Sequence, residues 1–253
     1  MKTDLCPNGT FFSVMAQGES MAAVFAAMAS NAQSPAAFRL AGGCSGMTDA
    51  ERARVLPYFV EALQGFSGLA ISGATASGDG KPMVTNVPSA LVAAGNPCIA
   101  MGTVPRTADM SLPESGSVCV SGYGDTIDLG QHGVAVIQRN ASEVLDWDGD
   151  LTAYLDFLEG LQDDADWTVG VVVFNGGGVT KKEITQALDR GLPLIVVRGS
   201  GRAADEFATQ WFGGEGSFDE ELLQFAVENK LVAFADFSDA ATLRQAFQEF
   251  NLL

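Results

Sequence analysis

The chain has 253 residues, with 14 Lys and Arg against 31 Asp and Glu, and a formal net charge of −17 with its single His neutral. Only 18% of residues are charged and 47% are hydrophobic, the reverse of a disordered acidic tail, so a sizeable core can form. The charge argues against nucleic acid or an anionic membrane surface as partner, and one His excludes a multi-histidine metal site.

Short apolar runs alternate with helical stretches along the chain. Thr10–Met15 reads as a strand and Glu19–Met28 as a helix. Phe38–Ala41 is a strand stopped by Gly42-Gly43. Thr48 and Asp49 open a helix that runs to Leu63, with Glu51 at capping-box spacing and Pro57 expected to kink or divide it. Gly68–Ser72 is a strand before Gly73-Ala-Thr-Ala-Ser-Gly78. Thr85–Ala94 is helical, interrupted by Pro88, and Pro97–Thr103 is a strand that ends in a turn at Val104-Pro105-Arg106. Thr107–Thr126 reads as loops around a strand at Ser117–Ser121, followed by a strand at Val134–Gln138 and a helix at Leu151–Leu161. Thr168–Phe174 is the most strand-like run, breaking at Asn175-Gly-Gly-Gly178 before a helix from Thr180 to Arg190. Leu194–Val197 is a strand, Gly199-Ser200-Gly201 leads into a helix from Arg202, and Leu231–Phe234 and Ala240–Phe250 close the chain as strand and helix.

Continuous apolar strands separated by helices predict a single α/β domain, a doubly wound, mainly parallel sheet with helices on both faces. Cys6, Cys44, Cys98 and Cys119 form no Cys-x-x-Cys pair and do not read as a disulfide framework; Cys98 and Cys119 sit in apolar runs and read as small buried hydrophobes. No apolar stretch approaches the ~20 residues of a membrane span, and no basic segment precedes Met21–Met28. A soluble, cytoplasmic protein is expected.

Four strand-like runs end in small-residue turns before a helix: Gly42-Gly43, Gly73–Gly78, Gly176–Gly178 and Gly199–Gly201. In a doubly wound sheet these turns share the carboxyl edge, where ligands bind. Glycine lets backbone approach a phosphate, and helix N-termini supply N–H donors, so an acidic protein can still hold a nucleotide-like ligand there. Neither a Walker A sequence nor a Gly-x-Gly-x-x-Gly fingerprint is present.

Leu69-Ala-Ile-Ser-Gly-Ala-Thr-Ala-Ser-Gly78 resembles the second motif of the SLOG superfamily, and closest to it are the LSDAT domains of melastatin-type TRP channels and their prokaryotic relatives. Val171-Val-Val-Phe-Asn-Gly-Gly-Gly-Val-Thr180 is similar to the family's Gly-Gly-x-Gly-Thr motif. Pro193-Leu-Ile-Val-Val-Arg-Gly-Ser-Gly-Arg-Ala-Ala-Asp205 resembles the LSDAT signature Gly-Ser-Gly-Arg-x-x-Asp, the most specific of the three. Cys98-Ile-Ala-Met-Gly-Thr-Val-Pro-Arg106 and Leu129-Gly-Gln-His132 fit further segments, so the likeness runs from about Phe38 to Ala208. The resemblance implies a Rossmann-like fold and one of two roles. Many members bind or sense nucleotide-derived ligands such as ADP-ribose and cyclic ADP-ribose-like signals. The Lonely Guy phosphoribohydrolases cleave nucleoside 5′-monophosphates and carry Pro-Gly-Gly-x-Gly-Thr-x-x-Glu. Here Asn175 replaces the Pro and Val179 a Gly, while Thr180 and Glu183 match. No counterpart of the enzymes' arginine-bearing Met-His-Glu-Arg-Lys segment occurs in Thr107–Val134. Ligand sensing therefore leads and phosphoribohydrolase activity is the alternative.

The expected ligand contacts are Gly42, Gly43, Gly73, Ala74, Thr75, Ser77, Gly78, Thr103, Arg106, Gly176, Gly177, Gly178, Thr180, Gly199, Ser200, Gly201, Arg202 and Asp205. Arg202 is read as a phosphate-binding guanidinium, or as the partner of Asp205 in a solvated i,i+3 pair. Asp205 is alternatively an acceptor for a ribose hydroxyl. Thr75 and Ser77 offer hydroxyls to a ligand or cap a helix, and Thr180 is expected to N-cap its helix. Glu183 is a capping-box or solvated residue, a ribose contact, or the general acid/base of the enzymatic alternative. Arg106 is a ligand contact or a surface residue, and His132 a ligand contact or a hydrogen-bonded structural residue. Lys181 and Lys182 are expected in solvent. No cofactor or metal is expected, and sensing would need a separate effector chain or a homo-oligomer.

Overall fold

The computed structural model of the chain describes residues 2–5, 11–15, 32–73, 75–76, 81–106, 117–119, 126–128, 134–139 and 147–253. The strands are β1 (Lys2–Leu5), β2 (Phe11–Met15), β3 (Ala36–Gly42), β4 (Leu69–Gly73), β5 (Thr75–Ala76), β6 (Ile99–Arg106), β7 (Ser117–Cys119), β8 (Thr126–Asp128), β9 (Val134–Arg139), β10 (Thr168–Phe174), β11 (Leu194–Arg198) and β12 (Val232–Asp236). The helices are α1 (Asp49–Ala62), α2 (Val87–Ala93), α3 (Trp147–Ala165), α4 (Gly178–Asp189), α5 (Arg202–Trp211), α6 (Glu220–Glu228) and α7 (Ala240–Glu249).

Among the described residues one sheet runs β1-β2-β9-β6-β4-β3-β10-β11-β12. Every pairing in it is parallel except β1–β2. A small antiparallel sheet, β5-β8-β7, stands apart. This is a Rossmann-like α/β fold with helices on both faces, as the apolar runs predict.

Strand alternation splits the core in two. Phe38, Leu40, Val172 and Phe174 face α1, α2 and α7, meeting Val55, Phe59, Leu91 and Phe247. Phe38 lies edge-on to Phe66 and Phe247 at 5.0 and 5.1 Å between ring centroids, a geometry that adds to area burial. Val171 and Val173 face the other way, toward α3, α4, α5 and α6, meeting Leu155, Leu158, Ile184 and Phe207. Both faces are covered, which is why these strands carry no polar alternation.

Several expectations change. Helix α1 begins with the expected capping box, Thr48 with Glu51, but it runs through Pro57 undivided. Pro57 and Ala53 are both exposed, so the Ala53 carbonyl that loses its helical donor lies open to water instead. Pro88 falls in the first turn of α2, where its missing N–H costs nothing, after a 3-10 turn at Val84–Asn86. Val104, Pro105 and Arg106 are not a turn but the end of β6, where they pair with Ile137, Gln138 and Arg139. Helix α3 extends beyond Leu151–Leu161 at both ends. The strands β1, β5 and β8 and the helix α6 were not expected. Asp219 signals α6, accepting from the Leu222 amide at 3.0 Å. The expected helix Glu19–Met28 lies outside the described residues. No described helix is long and apolar enough to cross a membrane.

Candidate functional site at the carboxyl edge

The strand order β6-β4-β3-β10-β11-β12 reverses direction between β3 and β10. At such a switch point the two connections leave in opposite directions and open a crevice outside the strand carboxyl ends. The turn after β3, with Gly42 and Gly43, and the turn Asn175–Gly178 after β10 flank it. Gly42 has φ +133°, and a Cβ there would lie 1.9 Å from the Phe174 carbonyl oxygen, so only glycine fits. Gly73 at the end of β4, Thr103 near the end of β6 and Gly199–Gly201 after β11 lie on the same edge. The described parts of all four predicted turns therefore lie on one edge of the sheet. Thr75 is placed on β5 and Arg106 on β6; Ala74, Ser77, Gly78 and His132 lie outside the described residues.

The backbone donors on this edge are not equally free. Helix α1 is closed by its own capping box, in which Glu51 Oε2 accepts from the Thr48 amide at 2.7 Å. The turn before α5 is closed by Asp205, whose carboxylate accepts from the Gly199 amide at 2.6 Å and the Gly201 amide at 3.1 Å. The Ala203 and Ala204 amides of α5 donate to the carbonyls of Gly176 and Asn175 at 3.4 and 3.1 Å. Ser200 Oγ is occupied too, donating to the Val197 carbonyl at 2.6 Å and accepting from the Asn175 amide at 2.7 Å. The Gly199 and Gly201 amides expected to hold a phosphate thus already hold a carboxylate, because Asp205 lies one helical turn inside α5 and folds back over the loop. Asp205 forms no ion pair with Arg202 among the described residues.

Helix α4 differs. Its N-cap is Gly177, and no side chain caps it. Thr180 is therefore not the N-cap: it sits one turn inside and is buried. Arg202, exposed and at φ +48°, extends over this helix start. A Cβ on Gly177 would lie 2.9 Å from Arg202 Nη2, and one on Gly46 would lie 3.9 Å from Arg202 Cδ. The Arg202 side chain thus runs past the turn after β3 and places its guanidinium over the turn after β10, beside an uncapped helix N-terminus. Nearby, Asn175 (φ 54°) donates from Nδ2 to the Ser45 carbonyl at 3.3 Å. Asn175 Oδ1 and Thr103 Oγ1 are buried with no hydrogen-bond partner among the described residues. Lys181 and Lys182 form surface ion pairs, with Glu206 at 2.6 Å and Asp148 at 2.7 Å.

Under this edge lies a polar cluster that sequence reasoning missed. Glu183 is neither a capping-box member nor solvated; it is buried on α4. Tyr154 of α3 donates to Glu183 Oε1 at 2.5 Å, and Thr180 donates to the same carboxylate. Arg39, buried in the middle of β3, stacks on Tyr154 with its guanidinium carbon 4.3 Å from the ring centroid. Arg39 Nη1 also donates to the Leu40 carbonyl, Nη2 is 3.7 Å from where a Cβ on Gly73 would be, and Nε has no partner among the described residues. Burial pushes the Glu183 carboxyl above its usual value, with the Arg39 charge and the two hydroxyl donors opposing it. Burial and the Glu183 charge hold the Tyr154 phenol well above its own. Tyr154 thus stands between Glu183 and Arg39, whose charge acts on the carboxyl although no ion pair joins the two among the described residues. The available signal was a lone charge inside the buried run Ala37-Phe38-Arg39-Leu40-Ala41, since a buried charge needs a partner.

Residues 130–243 match the family model LSDAT_prok, described as SLOG in TRPM, prokaryote. Over this stretch, a little under half of the chain, the sequence matches the SLOG family. The matched stretch includes both the Val171–Thr180 and Pro193–Asp205 motifs and continues past the Ala208 limit of the sequence resemblance. Among solved structures the chain is similar to TM1055, a Northeast Structural Genomics Consortium target. The TM-score is 0.50 at 18% identity over 85% of this chain and 99% of that one, a likeness of fold alone. The molybdenum cofactor carrier protein MCP from Chlamydomonas reinhardtii aligns at TM-score 0.49 and 12% identity over 86% of this chain and 99% of that one. No curated protein is similar enough to match.

Proposed function

We propose that this α/β domain, whose second half matches the SLOG model, binds a nucleotide-derived ligand, of the ADP-ribose or cyclic ADP-ribose-like class, at the β3/β10 switch point. A phosphate sits over the N-terminus of α4, held by its first-turn amides and by Arg202. The observation that carries this reading is the arrangement of Arg202 over Gly177 at a helix start that no side chain caps. Asn175 Oδ1 and Thr103 Oγ1 are the unpartnered groups available to ribose or base. In this reading the protein is a cytoplasmic sensor that passes its signal to a separate effector chain or a homo-oligomer.

The test is thermal shift with AMP, ADP-ribose and cyclic ADP-ribose isomers, with product analysis of the same samples. Stabilisation by an intact ligand is expected, with affinity falling about tenfold or more in Arg202→Ala, the loss of roughly one charge-assisted bond. Gly177→Ala displaces the guanidinium and weakens binding with little change in stability. Unchanged affinity in Arg202→Ala rejects the phosphate position.

The hydrolytic alternative gains support from one observation, the burial of Glu183 against Tyr154 and Arg39. A carboxyl raised by burial holds its proton closer to neutral pH, as a general acid requires. Release of base or ribose 5-phosphate from AMP that disappears in Glu183→Gln selects this reading; intact ligand at saturation rejects it.

A further inference from the structure

Arg39 is a buried cation, 5% exposed, and it forms no ion pair among the described residues. The Leu40 carbonyl is the acceptor that the described residues give its guanidinium, and Nε has none. Tyr154 offers the face of its ring, while its hydroxyl is taken by Glu183, so the glutamate charge acts from beyond the ring without closing on the guanidinium. A buried charge is costly unless an opposite charge or a full set of hydrogen bonds meets it.

The guanidinium is held toward the strand ends. The Arg39 backbone is level with Ile71 of β4, and β4 ends at Gly73. Arg39 Nη2 nevertheless lies 3.7 Å from where a Cβ on Gly73 would be, two residues and roughly 7 Å farther toward the carboxyl edge. Thr103 of β6 pairs with Gly73 on the same face, because Ile71 and Met101, two residues earlier in each strand, both pack in the half of the core under α3 and α4. Thr103 is 1% exposed, and its Oγ1 has no hydrogen-bond partner among the described residues. Between these two groups stands a glycine that the fold does not require. Gly73 has no left-handed φ, and an added Cβ would meet Arg39 Nη2 and the Thr103 carbonyl oxygen at 3.7 and 3.9 Å, ordinary contacts. Glycine in a strand weakens it, and one with no role in the fold marks a place where a ligand comes close to the backbone.

We propose that Arg39, Thr103 and Gly73 form the seat of a second phosphate, so that the ligand at the switch point carries a diphosphate and not a single phosphate. This rests on the nucleotide reading of the site, whose first phosphate lies over α4 and under Arg202. The Arg39 guanidinium and the Thr103 hydroxyl donate to the second phosphate, and the bare backbone of Gly73 lets it approach. Asn175 is then left for ribose or base. The two seats lie at β10 and β4, on either side of β3, two strand spacings or about 10 Å apart. A diphosphate bonded at each end to a guanidinium bridges such a gap, whereas one phosphate reaches one seat. In the other direction along the edge the Asp205 carboxylate, folded over the Gly199–Gly201 turn, repels an anion.

The probes are AMP and ADP, titrated calorimetrically into the full chain as wild type, Arg202→Ala, Arg39→Met, Gly73→Val and Thr103→Val, with folding of each checked by its thermal transition. Thr103→Val keeps the side-chain shape and removes a buried hydroxyl that has no partner, so stability holds or rises and any loss of binding belongs to the ligand. The expected result is ADP bound about tenfold or more tighter than AMP by wild type. That preference falls to about twofold or less in Arg39→Met and Gly73→Val, and by about fivefold in Thr103→Val, while AMP affinity stays as in wild type. Equal affinity of wild type for AMP and ADP, or an ADP preference that survives in both Gly73→Val and Thr103→Val, overturns the second seat; AMP binding that Arg202→Ala abolishes leaves the first one standing. Binding of neither nucleotide overturns both.

Discussion

Replacing Arg39 by Met tests whether the buried cluster is a charge pair. The substitution keeps much of the side-chain volume and removes the positive charge that opposes burial at Glu183. Deleting one partner of a buried pair costs about 3–5 kcal/mol, and the lost contact with the Tyr154 ring belongs inside that figure. In a chain of this size each kcal/mol moves Tm by roughly 2–4 °C, so a fall of about 6–20 °C is expected. The pH dependence has a definite sign. Glu183 has a folded-state pKa raised above its unfolded value, so folding takes up a proton. Its contribution is most favourable below the unfolded pKa and declines as pH rises toward the folded one. Without Arg39 the folded pKa moves higher still, so the penalty grows between about pH 5 and about pH 8. Urea unfolding at both pH values, for wild type, Arg39→Met, Glu183→Gln and the double variant, measures this; taking differences from wild type cancels the general effect of the acidic surface. Adding Glu183→Gln to Arg39→Met should recover much of the loss, because a neutral amide needs no counter-charge. A penalty below about 1 kcal/mol, or one equal at both pH values, refutes the pair.

Three further outcomes follow from the same structure. Gly42→Ala puts a methyl 1.9 Å from the Phe174 carbonyl oxygen at φ +133°, so soluble yield and Tm should collapse, with a cost above about 3 kcal/mol; near-wild-type stability contradicts the close approach of β3 and β10. Asp205→Ala leaves the Gly199 and Gly201 amides without their carboxylate and should cost about 1–3 kcal/mol in urea unfolding; no loss means the turn holds without it. Burial pushes the Cys44 thiol up and Cys98 to about 11, so both should resist a disulfide reagent near pH 8 until the chain unfolds; rapid labelling of all four thiols contradicts their burial.

The glycine turns were legible because backbone need shows in composition: a tight approach such as Gly42 to Phe174 admits one residue type. The availability of each turn was not legible. Gly199-Ser-Gly and Asn175-Gly-Gly-Gly look alike as strings, yet Asp205 closes the first and leaves the second open. Thr180 and Glu183 have capping-box spacing, as do Thr48 and Glu51, and only the latter pair forms a box. At α4 the helix starts two residues before Thr180, which turns both side chains inward toward α3.

What the sequence by itself determined is the set of buried strands, their mainly parallel arrangement and the edge on which the glycines gather, since hydrophobic period and glycine placement are local properties that survive without knowledge of neighbours. The tertiary structure decided which polar groups gather around Tyr154. Arg39, Tyr154 and Glu183 come from three elements far apart in the chain, and their contact follows from β3 and β10 being adjacent with α3 and α4 on one face. Coulomb and hydrogen-bond energies depend on distances that chain order does not encode, so the same glutamate that reads as a surface cap in one dimension is a buried, arginine-facing acid in three.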